Sequence, residues 1–487
     1  MEERVNYHDS EEFRQILQRY EDLRDRDIDT YLDPDEYADV AEYYHKEGRN
    51  EEALEAADKA LDIFPGALAP LCFKARYALV MSGDTDTARE LAEEIEDKSQ
   101  MEYIYLCAEI FLAEGKKKEA DKLIREYAED CDDMDEYALD VASIYMDYNR
   151  VREAERWLER CTLTNDVEYK ELKARIMLHK GQYDECERIF NELIDSNPYS
   201  SDYWNQLASS QLMHNNVQDS ITSSEFSLAI NPNDDQALLN KSNALFTLDN
   251  FEEALKYYKL FLERQPENES AVMMIGITLF RLDQYDEAVE YLEKALRMSQ
   301  EHDNHITYEQ TLQELTYVED LLGNTEGALH YVDMMEEHLK ELKNPNEVVI
   351  KMAVIPRGYI LLEHQRYEEA VKEFQQAFHE TDGNPEVVYY ICIAVYDTGY
   401  YRLAYKLFSV LFLLVDDDWC DGYAYYARCC LLVNDMEEFH KAVKKAVECN
   451  PEEARLALET LYPEGTEPED YPSTPLKTST NNNDETL

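Results

Sequence analysis

Apolar residues recur at three- and four-residue intervals in a short segment near the middle of the chain. In NFEEALKYYKLFLERQP (250–266), the spacing of Ala254, Tyr257, Tyr258 and Phe261 would place them on one face of a helix. The closing proline prevents the helix from continuing. The pattern therefore predicts one amphipathic helix that buries a single stripe.

The same pattern returns along most of the chain, each time with a small residue where Ala254 stands. Successive copies of this position are 35, 32, 34, 32, 34, 34, 34, 40, 42, 34 and 35 residues apart. Three consecutive intervals of 34 indicate an internal repeat. We call these the anchor positions: Ala53, Ala88, Ala120, Ala154, Cys186, Ser220, Ala254, Ala288, Ala328, Ala370, Ala404 and, in a divergent last copy, Phe439.

Each repeat also carries an upstream helix with its own apolar stripe. Before Ala288 this stripe is Val272, Ile275, Gly276 and Leu279, spaced i, i+3, i+4 and i+7. Two antiparallel helices approach within about 8–10 Å only if small side chains meet where they cross. Glycines fall between the two helices, where a left-handed residue would close the first one, at Gly48, Gly115, Gly181, Gly323 and Gly399.

A 34-residue helix–turn–helix unit with small residues at these places and a closing proline resembles the tetratricopeptide repeat (TPR) family. About twelve units run from Pro34 to Pro451, so the resemblance covers most of the chain. It implies an all-α fold, a right-handed superhelical solenoid of about twelve TPR-like repeats with a C-terminal capping helix and a disordered tail. Stacked repeats of this kind need covered ends, which the terminal helices would supply.

The intervals and composition predict the following domain organisation. An N-terminal helical extension (1–33), with a helix over 11–28, precedes TPR-like repeats 1–8 (34–300). Repeats 9–12 (301–450) include two with lengthened helices or loops, because two intervals are 40 and 42 residues long. A capping helix (451–462) follows, and the Pro/Thr/Asn-rich segment 463–487 is predicted to be disordered.

The resemblance implies that the first helix of each repeat lines a concave groove in which a ligand segment lies. On those helices, the stripe facing away from the core turns from polar to aromatic and aliphatic along the chain. An alternative remains open, in which the superhelix or the C-terminal helix buries this stripe. We call the following residues the binding face: Asn205, Ser209, Asn243, Phe246, Met273, Ile277, Phe280, Tyr317, Ile355, Tyr359, Tyr389, Ile393 and Tyr396.

The charge of the chain narrows the choice of partners. With 106 acidic and 47 basic residues, the formal net charge is −59. Such a surface repels phosphate backbones and anionic lipids over a Debye length of roughly 8 Å, so nucleic acid is not an expected partner. A basic protein or peptide fits this surface better, although solubility alone is the commoner cause of a strong charge.

Membrane insertion and secretion are not predicted. The longest apolar run, LFSVLFLLV (407–415), has nine residues, against the ~20 that span a bilayer, and is interpreted as a buried helix. The acidic N-terminal sequence does not have the pattern of a secretory signal. Ten cysteines without a CxxC pair favour reduced thiols in a cytoplasmic protein.

The motifs of the common catalytic and nucleotide-binding sites do not occur in the sequence. His302, Asp303 and His305 could ligate a metal, and 130–136 is acidic, but both are better explained as links between helices. We therefore predict no enzyme activity, cofactor or metal. The predicted function is a protein-interaction scaffold that binds a peptide segment or partner helix in the groove. The alternative is a structural subunit that docks permanently into a larger complex or a homo-oligomer.

Overall fold

The computed structural model describes residues 7, 10–26, 32–46, 48–128, 131, 133–342, 345–416 and 418–477. In these residues the regular elements are all helical, which confirms the predicted all-α class. The chain divides into two compact units, Met1–Asn240 and Lys241–Leu487, and each is described by itself.

In the first unit, the helices are α1 (Glu11–Arg26), α2 (Pro34–Lys46), α3 (Asn50–Ile63), α4 (Leu68–Ser82), α5 (Thr85–Glu94), α6 (Met101–Ala113), α7 (Lys117–Ala128), α8 (Met134–Asp147), α9 (Val151–Leu158), α10 (Val167–His179), α11 (Tyr183–Ser196), α12 (Ser201–Met213), α13 (Val217–Ile230) and the first residues of α14 (Asp235–Thr247). The second unit contains the rest of α14, α15 (Phe251–Arg264), α16 (Glu269–Arg281), α17 (Tyr285–Glu301), α18 (His305–Leu321), α19 (Thr325–Glu341), α20 (Glu347–Glu363), α21 (Tyr367–Glu380), α22 (Pro385–Asp397), α23 (Tyr401–Leu414), α24 (Tyr423–Leu432), α25 (Met436–Cys449) and α26 (Pro451–Leu458), with 3-10 helices at Glu459–Leu461 and Pro468–Ser473.

A left-handed residue closes the first helix of each pair, five positions before the anchor. In the turn before Ala53, the N–H of Gly48 donates to the carbonyl of His45 (2.9 Å). The next N–H, of Arg49, donates to the carbonyl of Tyr44 (2.8 Å), so these carbonyls at the helix end are satisfied. Glycine supplies only part of the series, and Asn, Asp or Gln adopts the same positive φ elsewhere. The series is Gly48, Gly83, Gly115, Asn149, Gly181, Asn215, Asp249, Asp283, Gly323, Gln365, Gly399 and Asn434.

All of the anchor side chains are buried, as predicted. The crossing of α16 and α17 shows why small residues are needed there. A Cβ added to Gly276 would lie 2.8 Å from Cγ of Leu292 and 3.2 Å from the carbonyl oxygen of Ala288. Helix pairs in this fold therefore pack by direct approach of their backbones.

Four consecutive helices, α17 to α20, are longer than the helices around them. Each has 17 residues, whereas α16 has 13 and α21 has 14. The extra residues of the two long intervals thus lie mainly in helices. Within α20, Pro356 supplies no N–H to the carbonyl of Met352 four residues earlier, which locally weakens the helical hydrogen bonding.

The predicted N-terminal helix is present as α1, and 27–31 lie outside the described residues. Phe13, Ile16 and Tyr20 are buried. The Tyr20 ring packs edge-on against Tyr37, with ring centroids 5.9 Å apart. This helix covers an end of the first unit.

Residues 463–477, part of the segment predicted to be disordered, pack against the helices that precede them. The rings of Tyr462 and Tyr471 are stacked, with centroids 4.2 Å apart, and both side chains are buried. The N–H of Lys477 donates to the carbonyl of Leu461 (2.9 Å). The segment is rich in Pro and Thr, but it also contains Tyr471, whose buried side chain packs the segment against α25 and α26. Residues 478–487 lie outside the described part.

The apolar run 407–415 belongs to α23 and its flank, and only one face of this helix is buried. Phe408 and Leu411 are buried, whereas Leu413 is 84% exposed. The prediction of a buried helix is therefore correct for one face only. Within the described ranges, no helix combines the length and apolar character needed to cross a membrane.

Candidate functional site

The residues of the binding face lie on the first helices of successive pairs. They are placed on α12 (Asn205, Ser209), α14 (Asn243, Phe246), α16 (Met273, Ile277, Phe280), α18 (Tyr317), α20 (Ile355, Tyr359) and α22 (Tyr389, Ile393, Tyr396). Asn205 and Ser209 belong to the first unit and the others to the second.

The two polar residues on α12 take part in hydrogen bonds within the first unit. Asn205 is 4% exposed, and its Nδ2 donates to the carboxylate of Asp234 (2.9 Å). Asp234 also accepts a hydrogen bond from Ser227 (3.0 Å). The Ser209 hydroxyl donates to Oδ1 of Asn240 (3.2 Å). Because its side chain is buried and its Nδ2 is paired with Asp234, Asn205 belongs to the interior and does not line an open surface.

Three residues of the second unit are likewise used in packing. Met273 is 7% and Ile355 is 6% exposed. The amide oxygen of Asn243 accepts a hydrogen bond from the hydroxyl of Tyr258 (2.6 Å). For Met273 and Ile355 the alternative of a buried stripe holds.

The rest of the binding face in the second unit remains open to solvent. Tyr317 is 52% exposed, and its ring lies edge-on against Phe280, with centroids 5.6 Å apart. The other residues of this part are partly exposed: Phe246, Ile277, Phe280, Tyr359, Tyr389, Ile393 and Tyr396. The structure therefore brings aromatic and aliphatic side chains together on α16, α18, α20 and α22.

A cleft of about 200 Å³ opens between α18 and α20. Its floor includes Val332 and Met335 of α19, and Pro356 lies at its edge on α20. We call it the α18–α20 cleft; it is lined by Gln313, Thr316, Tyr317, Asp320, Val332, Met335, Ala353, Pro356, Tyr359 and Ile360. It lies between two of the lengthened helices, where α20 also contains its interior proline.

Carboxylates surround the tyrosine at this cleft. The Tyr359 hydroxyl donates to Oε1 of Glu363 (3.0 Å), and Nε2 of His364 lies 2.9 Å from Oδ1 of Asp320. Burial, the hydrogen bond to Glu363 and the nearby charges of Asp320 and Asp397 all raise the pKa of Tyr359 above its ordinary value. Tyr359 is therefore a neutral phenol beside negative charge at physiological pH.

The α22 end of the binding face packs against the loop that precedes α24. The Tyr389 ring lies 6.2 Å from that of Trp419. The loop ends at Gly422 (φ 87°), whose N–H donates to the carboxylate of Glu453 (2.9 Å). Glu453 also accepts from the N–H of Ala424 (3.2 Å), and burial raises its pKa. This carboxylate of α26 thus caps the beginning of α24.

Sequence reasoning also missed the α18–α20 cleft. Asp320 follows Tyr317 by three residues on α18, and both line the cleft. Pro356, in the middle of a helical pattern, was the available signal, because an interior proline disturbs the packing of a helix. It lines the same cleft on α20.

Comparison with known protein families decides the nature of the repeat. Residues 239–303 match the family model described as the tetratricopeptide repeat. This segment carries tetratricopeptide repeats. The matched segment includes the anchors Ala254 and Ala288 and the close crossing at Gly276, and the number of repeats beyond it stays a prediction. TPR proteins are generally non-catalytic scaffolds for protein–protein interaction.

Several solved structures are similar to this chain in part. The Cut9–Hcn1 hetero-tetramer of APC/C has 12% identity, a TM-score of 0.38 and coverage of 88% of this chain and 93% of that chain. PilW, described as a widely conserved type IV pilus biogenesis factor, has 20% identity, a TM-score of 0.39 and coverage of 44% and 97%. MamA from Desulfovibrio magneticus RS-1 has 17% identity, a TM-score of 0.32 and coverage of 35% and 98%. At these TM-scores the similarities bear neither on partners nor on mode of binding. No curated protein matches the chain.

Proposed function

We propose that the chain is a non-catalytic scaffold that binds a segment of a protein partner along the open part of its binding face. The observation that carries this proposal is the row of solvent-accessible aromatic and aliphatic side chains on α16, α18, α20 and α22. Rigid aromatic side chains are enriched where proteins bind one another, because they bury much area at a small entropic cost. Tyr317, half exposed beside Phe280, is the central residue of this row.

The charge of the chain favours a basic segment as the ligand. A net charge of −59 attracts cationic partners and accelerates their association. If steering contributes to capture, the association rate should fall as salt is raised from low to high concentration. An association rate that does not depend on salt would contradict this part of the proposal.

Site-specific photocrosslinking tests the location of the binding surface. A photoreactive phenylalanine analogue placed at Tyr317 should crosslink to a discrete partner in the cell of origin. The matched control is Tyr367 on α21, an equally large and exposed tyrosine. Specific crosslinks at 317 that disappear with Tyr359→Ala would support the proposal. No discrete crosslink at 317, or identical products from both sites, would refute it.

A packing role for the tyrosines is tested separately, with Tyr359→Ala combined with Tyr389→Ala. Because both residues are only partly exposed, the double variant should lose some stability in either case. Loss of partner capture while the fold is retained supports a binding role. Loss of folding with capture unchanged in the remaining folded protein would show that these two residues serve packing.

A permanent docking role is a second candidate, supported by the exposed face of α23. Leu403, Val410 and Leu414 are exposed at i, i+7 and i+11, on one stripe beside the strongly exposed Leu413. From Tyr401 to Leu414 the helix carries no acidic residue, although the chain as a whole is strongly acidic. Light scattering of the purified protein and of Leu413→Glu tests this role. A monomer that the substitution leaves unchanged would refute self-association through α23.

A further inference from the structure

We propose that the α18–α20 cleft receives one cationic side chain, preferably an arginine, from the partner segment. This inference rests on the proposed function and specifies the chemistry of its ligand. The proposal concerns only the second unit, where the binding face is open to solvent. Its basis is the size of the cleft, the aromatic walls and the kind of polar groups that line it.

The size of the cleft points to a single side chain. Pockets for cofactors and drug-sized ligands usually have volumes of ~300–1,000 Å³, whereas this cleft encloses about 200 Å³. A long, flexible side chain can enter such a space while its backbone stays on the surface. Apolar atoms of the floor, from Val332 and Met335, would contact the aliphatic stem of arginine or lysine.

The surface of the cleft is mainly apolar, and its few polar groups are predominantly acceptors. The Thr316 hydroxyl already donates to the carbonyl of Leu312 (2.8 Å), and the Tyr359 hydroxyl donates to Glu363. Their oxygens can therefore accept a further hydrogen bond. The Asp320 carboxylate has more lone pairs than its contact with His364 uses. Such a set matches a side chain that only donates, as arginine and lysine do.

The aromatic walls favour arginine over lysine. Tyr317 and Tyr359 both line the cleft, and cations are attracted to the faces of such rings. A guanidinium is planar, stacks on aromatic rings and can bind a carboxylate through two parallel hydrogen bonds, whereas an ammonium is a hydrated point charge. The charges of Glu363 and Asp397 near Tyr359 would repel an acidic side chain from the same place.

The first step of the test finds a ligand without presupposing one. A phage library of random dodecapeptides is selected on the full chain and on two variants. Asp320→Asn removes the charge of the cleft and keeps the shape. Asp286→Asn makes the same change at an exposed residue of α17 and serves as the matched control. We expect the natural chain and the control to enrich one arginine position that Asp320→Asn does not enrich.

The second step measures the contribution of the cation itself. A selected peptide is synthesised with arginine and with citrulline, its neutral isostere, and its affinity is measured by fluorescence anisotropy. Losing a charge-assisted hydrogen bond should weaken binding about tenfold or more in the natural chain and in the control. In Asp320→Asn, the two peptides should differ by less than about twofold. Circular dichroism checks the fold, and Tyr317→Ala, which should weaken both peptides, provides a variant at an exposed residue.

The outcomes separate the cleft from the binding face as a whole. If peptides are enriched and lose affinity with Tyr317→Ala, but arginine and citrulline bind equally well, the cleft assignment is overturned and the proposed function stands. If Asp286→Asn and Asp320→Asn reduce the arginine preference equally, the cleft assignment is also overturned. If the natural chain enriches no peptide, both the proposed groove binding and the cleft assignment are overturned.

Discussion

The crossing at Gly276 allows the packing of one repeat to be tested quantitatively. In Gly276→Ala, the new Cβ would lie 2.8 Å from Cγ and 3.0 Å from Cδ2 of Leu292, a fully buried side chain. Forcing one extra carbon into such a site typically costs about 1–3 kcal/mol. Replacing glycine with alanine within a helix stabilises the helix by about 1 kcal/mol. We therefore expect a net loss of up to about 2 kcal/mol.

A double-mutant cycle with Leu292→Ala isolates the steric part of this change. Leu292→Ala alone should cost about 2–5 kcal/mol because it leaves a cavity. In that background the nearest obstacle to the new Cβ is removed, and the carbonyl oxygen of Ala288 at 3.2 Å is the remaining close atom. Gly276→Ala should then be neutral, or stabilising by up to about 1 kcal/mol. The coupling free energy between the two sites should be about 1–3 kcal/mol.

Long repeat arrays depart from two-state unfolding, so a single free energy of unfolding is not well defined for this chain. Urea unfolding midpoints should be compared among the four proteins of the cycle. Hydrogen exchange in 269–301 shows whether the loss of protection is confined to the altered helix pair. If Gly276→Ala destabilises the chain equally with and without Leu292, the steric account of the small residue is refuted.

Three further changes test other parts of the second unit. Glu453→Ala should leave the N–H of Gly422 unpaired, lower stability by about 1–3 kcal/mol and accelerate hydrogen exchange in 418–424. Tyr471→Ala should make 463–477 sensitive to proteases, and an unchanged digestion rate would contradict the packing of the tail. Burial opposes ionisation of Glu336, but its ion pairs, including that with Arg357, lower its pKa to about 2. This depressed pKa contributes stability above the unfolded value of ~4.3 that is lost as pH falls towards 2. The unfolding midpoints of the natural chain and Glu336→Gln should therefore converge on acidification.

Much of the architecture could be predicted because it depends on local rules. The anchors and the stripe of α16 follow from helical periodicity and side-chain size, which a single sequence displays. Left-handed turns at Asn149 and Gln365 were less evident, since glycine is the usual signal and other residues adopt positive φ only when the surrounding helices require it. Because the same pattern of two helices and a small anchor residue recurs along the chain, the prediction does not depend on any single copy.

The candidate site could be predicted only in part because exposure is not a local property. Asn205, Met273 and Ile355 occupy the same helical face as Tyr317, yet neighbouring helices and hydrogen bonds bury them. Whether a position of the stripe is open depends on the side chains that neighbouring helices bring to it. The α18–α20 cleft lies between two lengthened helices and beside an interior proline, features that the repeat pattern does not include.

Tyrosines on the first helices are used differently in the two units, and this difference favours the second unit as the place of binding. In the first unit, tyrosines on the first helices pair with carboxylates of adjacent first helices. Tyr105 donates to Asp140 (2.9 Å), and Tyr203 donates to Glu171 (2.6 Å). Those polar groups are occupied by neighbours within the unit. Around Tyr317 in the second unit, rings contact rings and leave apolar surface exposed to water. Covering apolar surface of this kind with a partner stabilises the complex. Polar groups that are already hydrogen-bonded within the chain contribute little to its stability.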